Sequence, residues 1–493
     1  MYYLGIDLGS SSLKLALVAS DTGLRKEMIS YPEQEMSISS AQQDWAEQSP
    51  AQWWEYLVSG VLRLFEKAGL PPSEVIGIGI GYQMHGLVLL DESGDPLRDA
   101  IIWCDSRAID SGLALGKSLG QQYCVDHLLN NPGNFTASKL DWVRSFEPEL
   151  FAKAKYFMLP GDYLAFRLTG VPSTTSTGLS EGIMWDFYKN GPAMEMLRAI
   201  PGATELLPQL VPILGEQGQV SLSAAKALGI SAGTPLLYRA GDQPNNALSL
   251  HVMDPGQVAA TGGTSGVVYA VNDSTSFKEL NRLNHFIHVN HNASRRRLGT
   301  LLCINGCGIL YRWLSQLFDG LSYTEMNKLA EQVPIGSEGL SILPFGNGAE
   351  RILENRNLGG HISGLNFNRH NRAHLCRAGL EGIAFSFYYG FELLAKEGVN
   401  TQSIRTGNDN LFQSKVMAQT VANLLQVEIE VFETTGAEGA ARACALAEDR
   451  KIEFKQMILQ DYLKSYYPEK QNKHYLEAYE VWKTELLKRI QEA

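Results

Sequence analysis

The chain has 493 residues, 44% of them hydrophobic and 19% charged, and a formal net charge of −11. This length exceeds what one hydrophobic core normally holds, so we expect two to three domains. The negative charge and the lack of a Lys/Arg run argue against nucleic-acid and anionic-membrane partners, because clustered cations bind phosphate backbones.

The N-terminal segment, the apolar runs and the cysteines indicate the cellular compartment of the protein. A strand pattern begins at Tyr2 without a basic segment or a cleavage site, and the most apolar run, 75–90, is too short for a membrane span and contains Gln83 and His85. Six scattered cysteines do not resemble a disulfide framework, so we expect small buried side chains rather than a metal site. These features predict a cytoplasmic protein with no membrane partner.

A β-hairpin is predicted at the start of the chain. An apolar strand ends on Asp7, residues 9–12 read Gly-Ser-Ser-Ser, and a second strand pattern begins at Leu13. Backbone N–H groups and hydroxyls in such a turn can hold phosphate. The turn is neither a P-loop, which needs Gly-Lys-Ser/Thr, nor a dinucleotide fingerprint, which needs a helix after the glycine. An ordinary tight turn is the alternative.

Helix and strand patterns then alternate. Residues 44–68 carry Trp and Leu at helical spacing, which predicts a helix packed on the sheet. Residues 75–81 read Val-Ile-Gly-Ile-Gly-Ile-Gly, a buried strand whose glycines indicate that another layer approaches closely. This alternation predicts layered α/β domains.

Polar residues follow two of these strands and can face one cleft. Met84 and His85 follow the strand at 75–81, while Asp105 and Arg107 follow the next one. A lone histidine is more often a hydrogen-bonded core residue than a ligand contact. The Asp105 and Arg107 pair is equally compatible with a structural salt bridge.

Asp242 lies at a predicted strand-to-helix junction. It follows the apolar strand at 235–238 and precedes Gln243, Pro244 and a helical pattern. Asp at this point is a common helix N-cap, and a helix N-terminus also favours the ionised carboxylate. A carboxylate facing a cleft can accept a proton from an alcohol that attacks a γ-phosphate, since phosphoryl transfer depends more on positioning than on a strong base.

A second hairpin is predicted at 256–271, about half the chain after the first. Its turn reads Gly-Thr-Ser-Gly, with Gly263, Thr264 and Ser265 in the positions that Gly and Ser occupy in the first turn. Two such turns, one from each half, can hold a polyphosphate from both sides. The pair of hairpins therefore predicts a nucleotide clamp between two domains.

The rest of the second half repeats the α/β pattern. We expect a strand at 403–407, a helix at 412–425 and a partly exposed strand at 426–432. The tail from Lys455 is predicted to be amphipathic helix. We place the domain boundary near 248–255.

With these motifs in order, the chain resembles the FGGY family of carbohydrate kinases nearly end to end. The resemblance rests on Gly-Ile-Asp-Leu-Gly-Ser-Ser-Ser at 5–12, Gln-Met-His-Gly at 83–86, Trp-Cys-Asp-Ser-Arg at 103–107, Asn-Phe-Thr-Ala-Ser-Lys-Leu at 134–140, Leu-Pro-Gly-Asp-Tyr-Leu at 159–164, Gly-Asp-Gln at 241–243, Gly-Thr-Ser-Gly at 263–266 and Arg-Ala-Gly-Leu-Glu-Gly-Ile-Ala-Phe at 377–385. Each motif is weak alone, but their order is specific.

The resemblance implies an α/β fold of two actin-like ATPase (ribonuclease H-like) domains, 1–248 and 249–493, with ATP and Mg²⁺ in the cleft between them. It implies that Asp242 is the catalytic base and that Asp7 organises Mg²⁺ through water. The sugar, held mainly by the first domain, would contact Met84, His85, Asn134, Asp242 and Gln243. The implied nucleotide contacts are Gly9, Ser10, Ser11, Ser12, Lys14, Gly263, Thr264, Ser265, Gly407, Asn408 and Asn410.

Two segments depart from the family pattern. The glycine triplet usual near adenine is replaced by Arg-Thr-Gly-Asn-Asp-Asn at 405–410, which keeps one glycine. The Asp-Ala-Ser-Gly stretch usual in the first domain is replaced by Gly-Leu-Ser-Glu-Gly at 178–182.

The resemblance leads to a specific expectation and leaves alternatives open. The Met84 and His85 pair is similar to that of the xylulokinase branch, whereas glycerol kinases carry Arg-Glu there, so we expect ATP-dependent phosphorylation of D-xylulose to its 5-phosphate. Kinases for L-ribulose, D-gluconate or glycerol are alternatives within the family. A non-catalytic nucleotide-gated protein or sugar sensor is the alternative from another class, because fold does not fix function. The oligomeric state is open, with a homodimer as one candidate.

Overall fold

The computed structural model describes residues 1–470 and 472–493. Each half of the chain contains one large β-sheet. The strands of the first half are β1 (Tyr2–Leu8), β2 (Leu13–Ala19), β3 (Arg25–Tyr31), β4 (Glu47–Gln48), β5 (Val75–Tyr82), β6 (Val88–Leu90), β7 (Ala100–Ile101), β8 (Tyr156–Met158), β9 (Ser173–Thr175), β10 (Trp185–Asp186), β11 (Gly191–Pro192), β12 (Gln209–Val211) and β13 (Leu236–Gly241). Those of the second half are β14 (Gln257–Gly262), β15 (Gly266–Asn272), β16 (Asn284–Ile287), β17 (Leu298–Ile304), β18 (Ser341–Leu343), β19 (His361–Ser363), β20 (Ser403–Gly407), β21 (Ile429–Phe432) and β22 (Tyr462–Tyr466).

Helices cover both sheets and fill the space between them. They are α1 (Pro50–Ala68), α2 (Ile109–Leu119), α3 (Gln121–Tyr123), α4 (Thr136–Phe146), α5 (Pro148–Phe151), α6 (Pro160–Thr169), α7 (Ser176–Glu181), α8 (Met194–Ala199), α9 (Leu222–Leu228), α10 (Asp242–Ser249), α11 (Gly308–Leu317), α12 (Tyr323–Glu331), α13 (Arg372–Lys396), α14 (Lys415–Leu425), α15 (Gly436–Ala447), α16 (Lys451–Leu459) and α17 (Lys473–Glu492). Within the described ranges, no helix is both long enough and apolar enough to cross a membrane.

The two sheets share one topology. The first sheet has the order β13-β5-β1-β2-β3, with β2 antiparallel to both β1 and β3, and with β5 and β13 parallel to β1. In the second sheet, β17-β15-β14-β20-β21 repeats that pattern, and β16 and β22 extend its edges. Three antiparallel strands followed by two parallel ones, occurring twice, confirm the predicted pair of ribonuclease H-like units.

The strands of the first sheet other than β3 are largely buried, and their side chains alternate between its two faces. Leu4 and Ile6 of β1 share a core with Trp53 and Leu57, which lie one turn apart on α1. Helix α1 begins at Pro50 rather than at residue 44, since residues 47–48 form β4 and pair with β7. Proline suits this first position because its missing N–H has no partner within a helix.

The opposite face of the first sheet packs against α15, which comes from the second half of the chain. A methyl group at Gly5 of β1 would overlap the backbone of Ala437, and one at Gly79 of β5 would overlap the carbonyl of Ala440. Gly79 of β5 therefore marks a close approach of another layer, as the sequence predicted, and that layer is α15. Side chains of Tyr3 and neighbouring residues complete this small core.

Three sequence predictions in the second half need correction. The tail is not helical throughout, because residues 462–466 form the edge strand β22, which pairs antiparallel with β21. Helix α14 begins at 415, after a single 3-10 turn at 411–413, and β21 begins at 429, after Gln426 adopts a left-handed conformation with φ 56°. Strand β22 exposes Tyr462, Leu463 and Lys464, residue types that the flanking helices also carry, so composition did not mark it as a strand.

We predict that Gly79→Ala lowers the free energy of unfolding by about 3 kcal/mol or more, because the added methyl group meets a backbone carbonyl that cannot rotate away. The matched control is Gly191→Ala, since nothing in the described chain lies within 4 Å of a methyl group at that position. Urea denaturation of both variants gives the comparison. Equal stability of the two would mean that α15 does not pack on β5 as described.

Candidate active site

Three parallel strands of the first sheet end at the same edge. Each carries residues singled out from the sequence, either at its end or just after it. Strand β1 ends with Asp7 and Leu8, β5 is followed by Met84 and His85, and β13 leads directly into Asp242. Because β1, β5 and β13 are neighbours, their carboxyl ends form one crevice. Residues that lie far apart in the sequence therefore meet here.

Asp242 is the first residue of α10, and the cap position belongs to Gly241. Asp242 is thus not the helix N-cap. Burial and the nearby Asp7 carboxylate raise the pKa of Asp242 to about 7, while hydrogen bonding from the adjacent Gln243 acts in the opposite direction. A partly buried carboxyl with a pKa near neutrality can take up and release a proton at physiological pH.

Asp7 is held between the two halves of the chain. It lies opposite Lys14 in the β1–β2 ladder, and its carboxyl fills the space next to Gly81 of β5 and Gly436, the first residue of α15. Burial raises the pKa of Asp7, and the Lys14 ammonium opposes that shift. The N-terminus of α15 also favours a negative charge at this point.

The donor set suits a hydrated magnesium ion better than a cation bound by protein groups alone. Across residues 1–470 and 472–493, no group of three or more His, Cys, Asp and Glu side chains could hold a metal ion. Asp7 offers carboxylate oxygens, which Mg²⁺ prefers, and Mg²⁺ commonly keeps several waters and takes its other ligands from phosphates. The residues present therefore fit Mg²⁺ bound through a single carboxylate or its waters.

His85 sits in a strained backbone conformation with φ 62°. Its Nδ1 lies 2.9 Å from the carbonyl oxygen of Glu181, so Nδ1 carries the proton and donates it. Burial lowers the pKa of His85 to about 3, which leaves the ring neutral and Nε2 an acceptor. The ring packs edge-on against Phe135, with centroids 4.7 Å apart. His85 is therefore hydrogen-bonded to the core while its second nitrogen stays available.

Asp105 and Arg107 form a structural ion pair rather than a pair of ligand groups. Asp105 is fully buried and accepts hydrogen bonds from Arg107 at 2.6–3.0 Å and from the backbone of Ala46 at 2.6 Å. The guanidinium of Arg107 lies 3.6 Å from the centroid of the Trp45 ring. Asn134 donates its amide to the carbonyl of Asp105, and its own Oδ1 has no hydrogen-bond partner in the described structure.

The first hairpin turn is closed by its own backbone. The amide of Gly9 donates to the carbonyl of Ser12 at 3.0 Å, and the Ser12 hydroxyl is hydrogen-bonded to Ser30. The carbonyl of Ser10 accepts from Gln48. Several of the turn's carbonyls and the Ser12 hydroxyl are thus engaged with the protein, a feature shared with an ordinary tight turn, while Ser11 is exposed.

The second hairpin turn lines a cavity of about 310 Å³. The carbonyls of Gly263 and Thr264 accept from the first amides of α11 at 3.0 and 3.2 Å, and a side chain at Gly263 would meet only the carbonyl of Ser265. The lining residues are Gly262, Gly263, Thr264, Gly308, Ile309, Tyr311, Arg312, Tyr323, Asn327, Asp409, Asn410, Leu411, Gln413 and Ser414. The turn is therefore anchored through its carbonyls beside an open space.

The predicted adenosine contacts are only partly brought to this cavity. Asn410 lines it, but its side chain also accepts from the amide of Phe412 at 3.0 Å and donates to the carbonyl of Gly407 at 2.9 Å. Asn408 is hydrogen-bonded to Glu433 and does not belong to the lining residues. The sequence analysis did not identify Arg312 and Tyr323 as lining residues, because neither belongs to a recognised motif.

Strand β16 of the second half packs on the end of the crevice that holds His85. The amide of Ile287 donates to the Ser180 hydroxyl at 3.0 Å, and the ring of Phe286 lies 5.4 Å from that of His85. The charge of Arg351 also lowers the pKa of His85, by less than burial and Lys139 do. The sequence analysis did not identify Phe286 or Arg351, because only the folded chain brings them near His85.

Comparisons with known proteins agree with this geometry. Residues 2–249 match the N-terminal domain of the FGGY family of carbohydrate kinases, and residues 258–448 match its C-terminal domain. A xylulose kinase of Haemophilus influenzae is 30% identical, over 98% of this chain and 99% of the relative.

Solved structures give the same fold. A kinase from Brucella ovis described as a xyloylose kinase superimposes with a TM-score of 0.86 at 25% identity, covering 98% of both chains. A Plasmodium falciparum glycerol kinase with ADP gives 0.88 at 18% identity, covering 99% of this chain and 98% of the other. The chain belongs to the FGGY family of carbohydrate kinases, and it is a sugar kinase with two actin-like domains.

Proposed function

We propose that this kinase transfers the γ-phosphate of ATP to D-xylulose and forms D-xylulose 5-phosphate. The observation that carries the proposal is Asp242, a partly buried carboxyl with a raised pKa, at the edge of a crevice that also holds Asp7 and the Met84 and His85 pair. The curated relative at 30% identity is named for xylulose, and it spans nearly the whole chain.

Asp242 is the proposed catalytic base. Its carboxylate accepts the proton of the sugar's primary hydroxyl while that oxygen attacks the γ-phosphorus in line with the leaving ADP oxygen. The transition state of phosphoryl transfer is loose, so the main task of the site is to align the two oxygens and to neutralise charge. Rigid placement of Asp242 at the end of β13 suits this task.

The nucleotide is proposed to bind between the two hairpins. Gly9, Ser10, Ser11, Ser12 and Lys14 face it from the first half. Gly263, Thr264 and Asn410, which line the cavity at the second turn, face it from the second half, with Ser265 and Gly407 beside them. Mg²⁺ held near Asp7 through water would offset the charge of the phosphates together with Lys14. Domains 1–248 and 249–493 would then each contribute one turn to the clamp.

The sugar is proposed to lie between β5 and α10. Met84 supplies an apolar wall, His85 Nε2 and Asn134 Oδ1 accept from hydroxyls, and Gln243 both donates and accepts. Asn134 Oδ1 has no partner in the described structure, which supports this role. Phe286 covers the sugar from the second half.

A second candidate is a kinase for an aldonic acid such as D-gluconate. Arg351 is partly buried, its Nε is buried without a hydrogen-bond partner in the described ranges, and burial lowers its pKa. A carboxylate on the substrate would pair with such a guanidinium. L-Ribulose and glycerol have no comparable feature in their favour. A non-catalytic nucleotide-gated sensor is disfavoured because Asp7 and Asp242 are both present.

A coupled ADP-release assay over ketopentoses, polyols and aldonic acids tests the proposal. We expect kcat/KM for D-xylulose to exceed that for L-ribulose, glycerol and D-gluconate by at least about tenfold, a difference that one or two well-placed contacts supply. A higher kcat/KM for D-gluconate would favour the Arg351 pairing instead. Binding of sugar without ADP release from any member of the panel would support the sensor alternative.

We predict that Asp242→Asn lowers kcat by about two to four orders of magnitude and leaves the sugar affinity nearly unchanged, because the amide keeps the shape but cannot accept the proton. Calorimetry gives the affinity, and the steady-state rate gives the chemistry. Asp449→Asn, at an exposed aspartate far from the crevice, is the control. Turnover close to wild type would remove Asp242 from the mechanism.

We predict that Gly263→Val weakens ATP binding at least about tenfold without loss of stability. A side chain at this position would meet only the Ser265 carbonyl, at 3.6 Å, so the empty protein accepts it while a phosphate would not. Gly191→Val, also in open surroundings, is the matched control. Sugar binding should be unaffected, and an equal loss of both affinities would indicate a plain turn.

A further inference from the structure

One buried carboxyl near the crevice has no hydrogen-bond partner. Glu181 ends α7 with only 1% of its surface exposed, and neither of its side-chain oxygens is hydrogen-bonded within the residues that the structure describes. Buried carboxyls are normally paired or hydrogen-bonded, because an unpartnered polar group costs free energy. Glu181 also belongs to the segment 178–182, which replaces the Asp-Ala-Ser-Gly stretch usual in the family.

The carboxyl of Glu181 lies at the floor of the proposed sugar site. A side chain at Gly241, the residue before Asp242, would overlap both Oε2 of Glu181 and the side chain of Met84. The backbone carbonyl of Glu181 accepts from His85. Glu181 therefore lies beside three residues of the proposed sugar site: Met84, His85 and Asp242.

The backbone around Glu181 is held firmly in place. The N-cap of α7 is Thr175, whose hydroxyl accepts from the amide of Gly178 at 3.1 Å. The Ser180 hydroxyl accepts from Ile287 of β16. The carboxyl is thus presented by a short helix fixed from both halves of the chain, which is how preorganised binding groups are mounted.

No cation neutralises Glu181 within the described chain. Its charged neighbours are Asp242 and Asp162, and Asp162 is already paired with the buried Arg239 at 3.1 Å. Burial and these carboxylates raise the pKa of Glu181 well above its ordinary value. Tyr82 and Tyr269 are its other titratable neighbours, and the Tyr82 hydroxyl forms no hydrogen bond of ordinary geometry with it.

We propose that Glu181 is a specificity-determining residue that hydrogen-bonds a hydroxyl group of the sugar at the buried end of the site. This inference rests on the proposed sugar site. A carboxyl group accepts a hydrogen bond from a hydroxyl, and its protonated form also donates one, so a single sugar hydroxyl can satisfy it. The substrate supplies the partner that the empty protein lacks, and a sugar without that hydroxyl leaves the carboxyl unpaired in the complex.

The substitution Glu181→Met tests the proposal because it keeps the length of the side chain and removes its polar atoms. In the sugar-free protein we expect Tm to rise by roughly 1–3 °C, since an unpartnered buried carboxyl is replaced by an apolar group. The kcat/KM for the accepted sugar should fall about tenfold to a hundredfold, mainly through KM. Glu181→Gln, which keeps a donor and an acceptor, should retain most of the activity.

Deoxy analogues of the accepted sugar give the decisive readout. For the wild type, removal of one particular hydroxyl should lower kcat/KM on the order of a hundredfold or more, because Glu181 is then left unpaired. In Glu181→Met the sugar and that analogue should differ by less than about threefold. Equal discrimination in wild type and variant, or a fall in Tm with unchanged discrimination, would overturn the proposal and make Glu181 a structural residue.

Glu381→Met is the matched control. Glu381 is equally buried, but it accepts from Arg377 at 2.7 Å, from the amide of Gly336 and from the Ser337 hydroxyl. Its replacement should lower Tm and leave the discrimination between sugar and analogue unchanged. The assay uses whichever sugar the wild type phosphorylates best, so a substrate other than D-xylulose would contradict the proposed function without deciding the role of Glu181.

Discussion

The close packing of α15 against glycines of the first sheet is the constraint on which the rest of the structure depends. Gly5 and Gly79 leave no room for a side chain, so the backbone of α15 approaches β1 and β5 directly. The first residue of α15, Gly436, then lies against the Asp7 carboxyl. Asn245 of α10 donates to the Gly436 carbonyl at 2.9 Å and ties in the helix that begins with Asp242. One contact surface thereby fixes both carboxylates relative to the two halves.

The same packing concentrates negative charge in a poorly solvated crevice. Asp7, Asp242 and Glu181 all have raised pKa values for the same leading reason, burial, and neighbouring carboxylates add to the shift at Asp242 and Glu181. Lys14 offsets part of it at Asp7. Such an arrangement costs stability in the empty protein and favours ligands that bring hydroxyl groups or cations. Mg²⁺ and a polyhydroxy substrate have these properties.

The sequence predicted those features that depend on local residue patterns and on backbone geometry. The alternating glycines of β5 predicted a closely packed layer, and the Gly- and Ser-rich turns predicted two hairpins in matching places. Contacts made only in the folded chain were not predictable, since Phe286 and Arg351 reach His85 from a distant part of the sequence. The departure at 178–182 was visible, but only the structure places the Glu181 carboxyl next to Gly241 and without a partner.

A crystal structure with D-xylulose, Mg²⁺ and a non-hydrolysable ATP analogue would test the central claim most directly. The quantity to measure is the distance from the sugar's primary hydroxyl oxygen to the nearest Asp242 carboxylate oxygen. The account predicts a distance of about 2.6–3.2 Å, with the hydroxyl oxygen facing the γ-phosphorus opposite the bridging oxygen. A sugar bound with its primary hydroxyl out of reach of Asp242, or a γ-phosphate away from both hairpin turns, would contradict it.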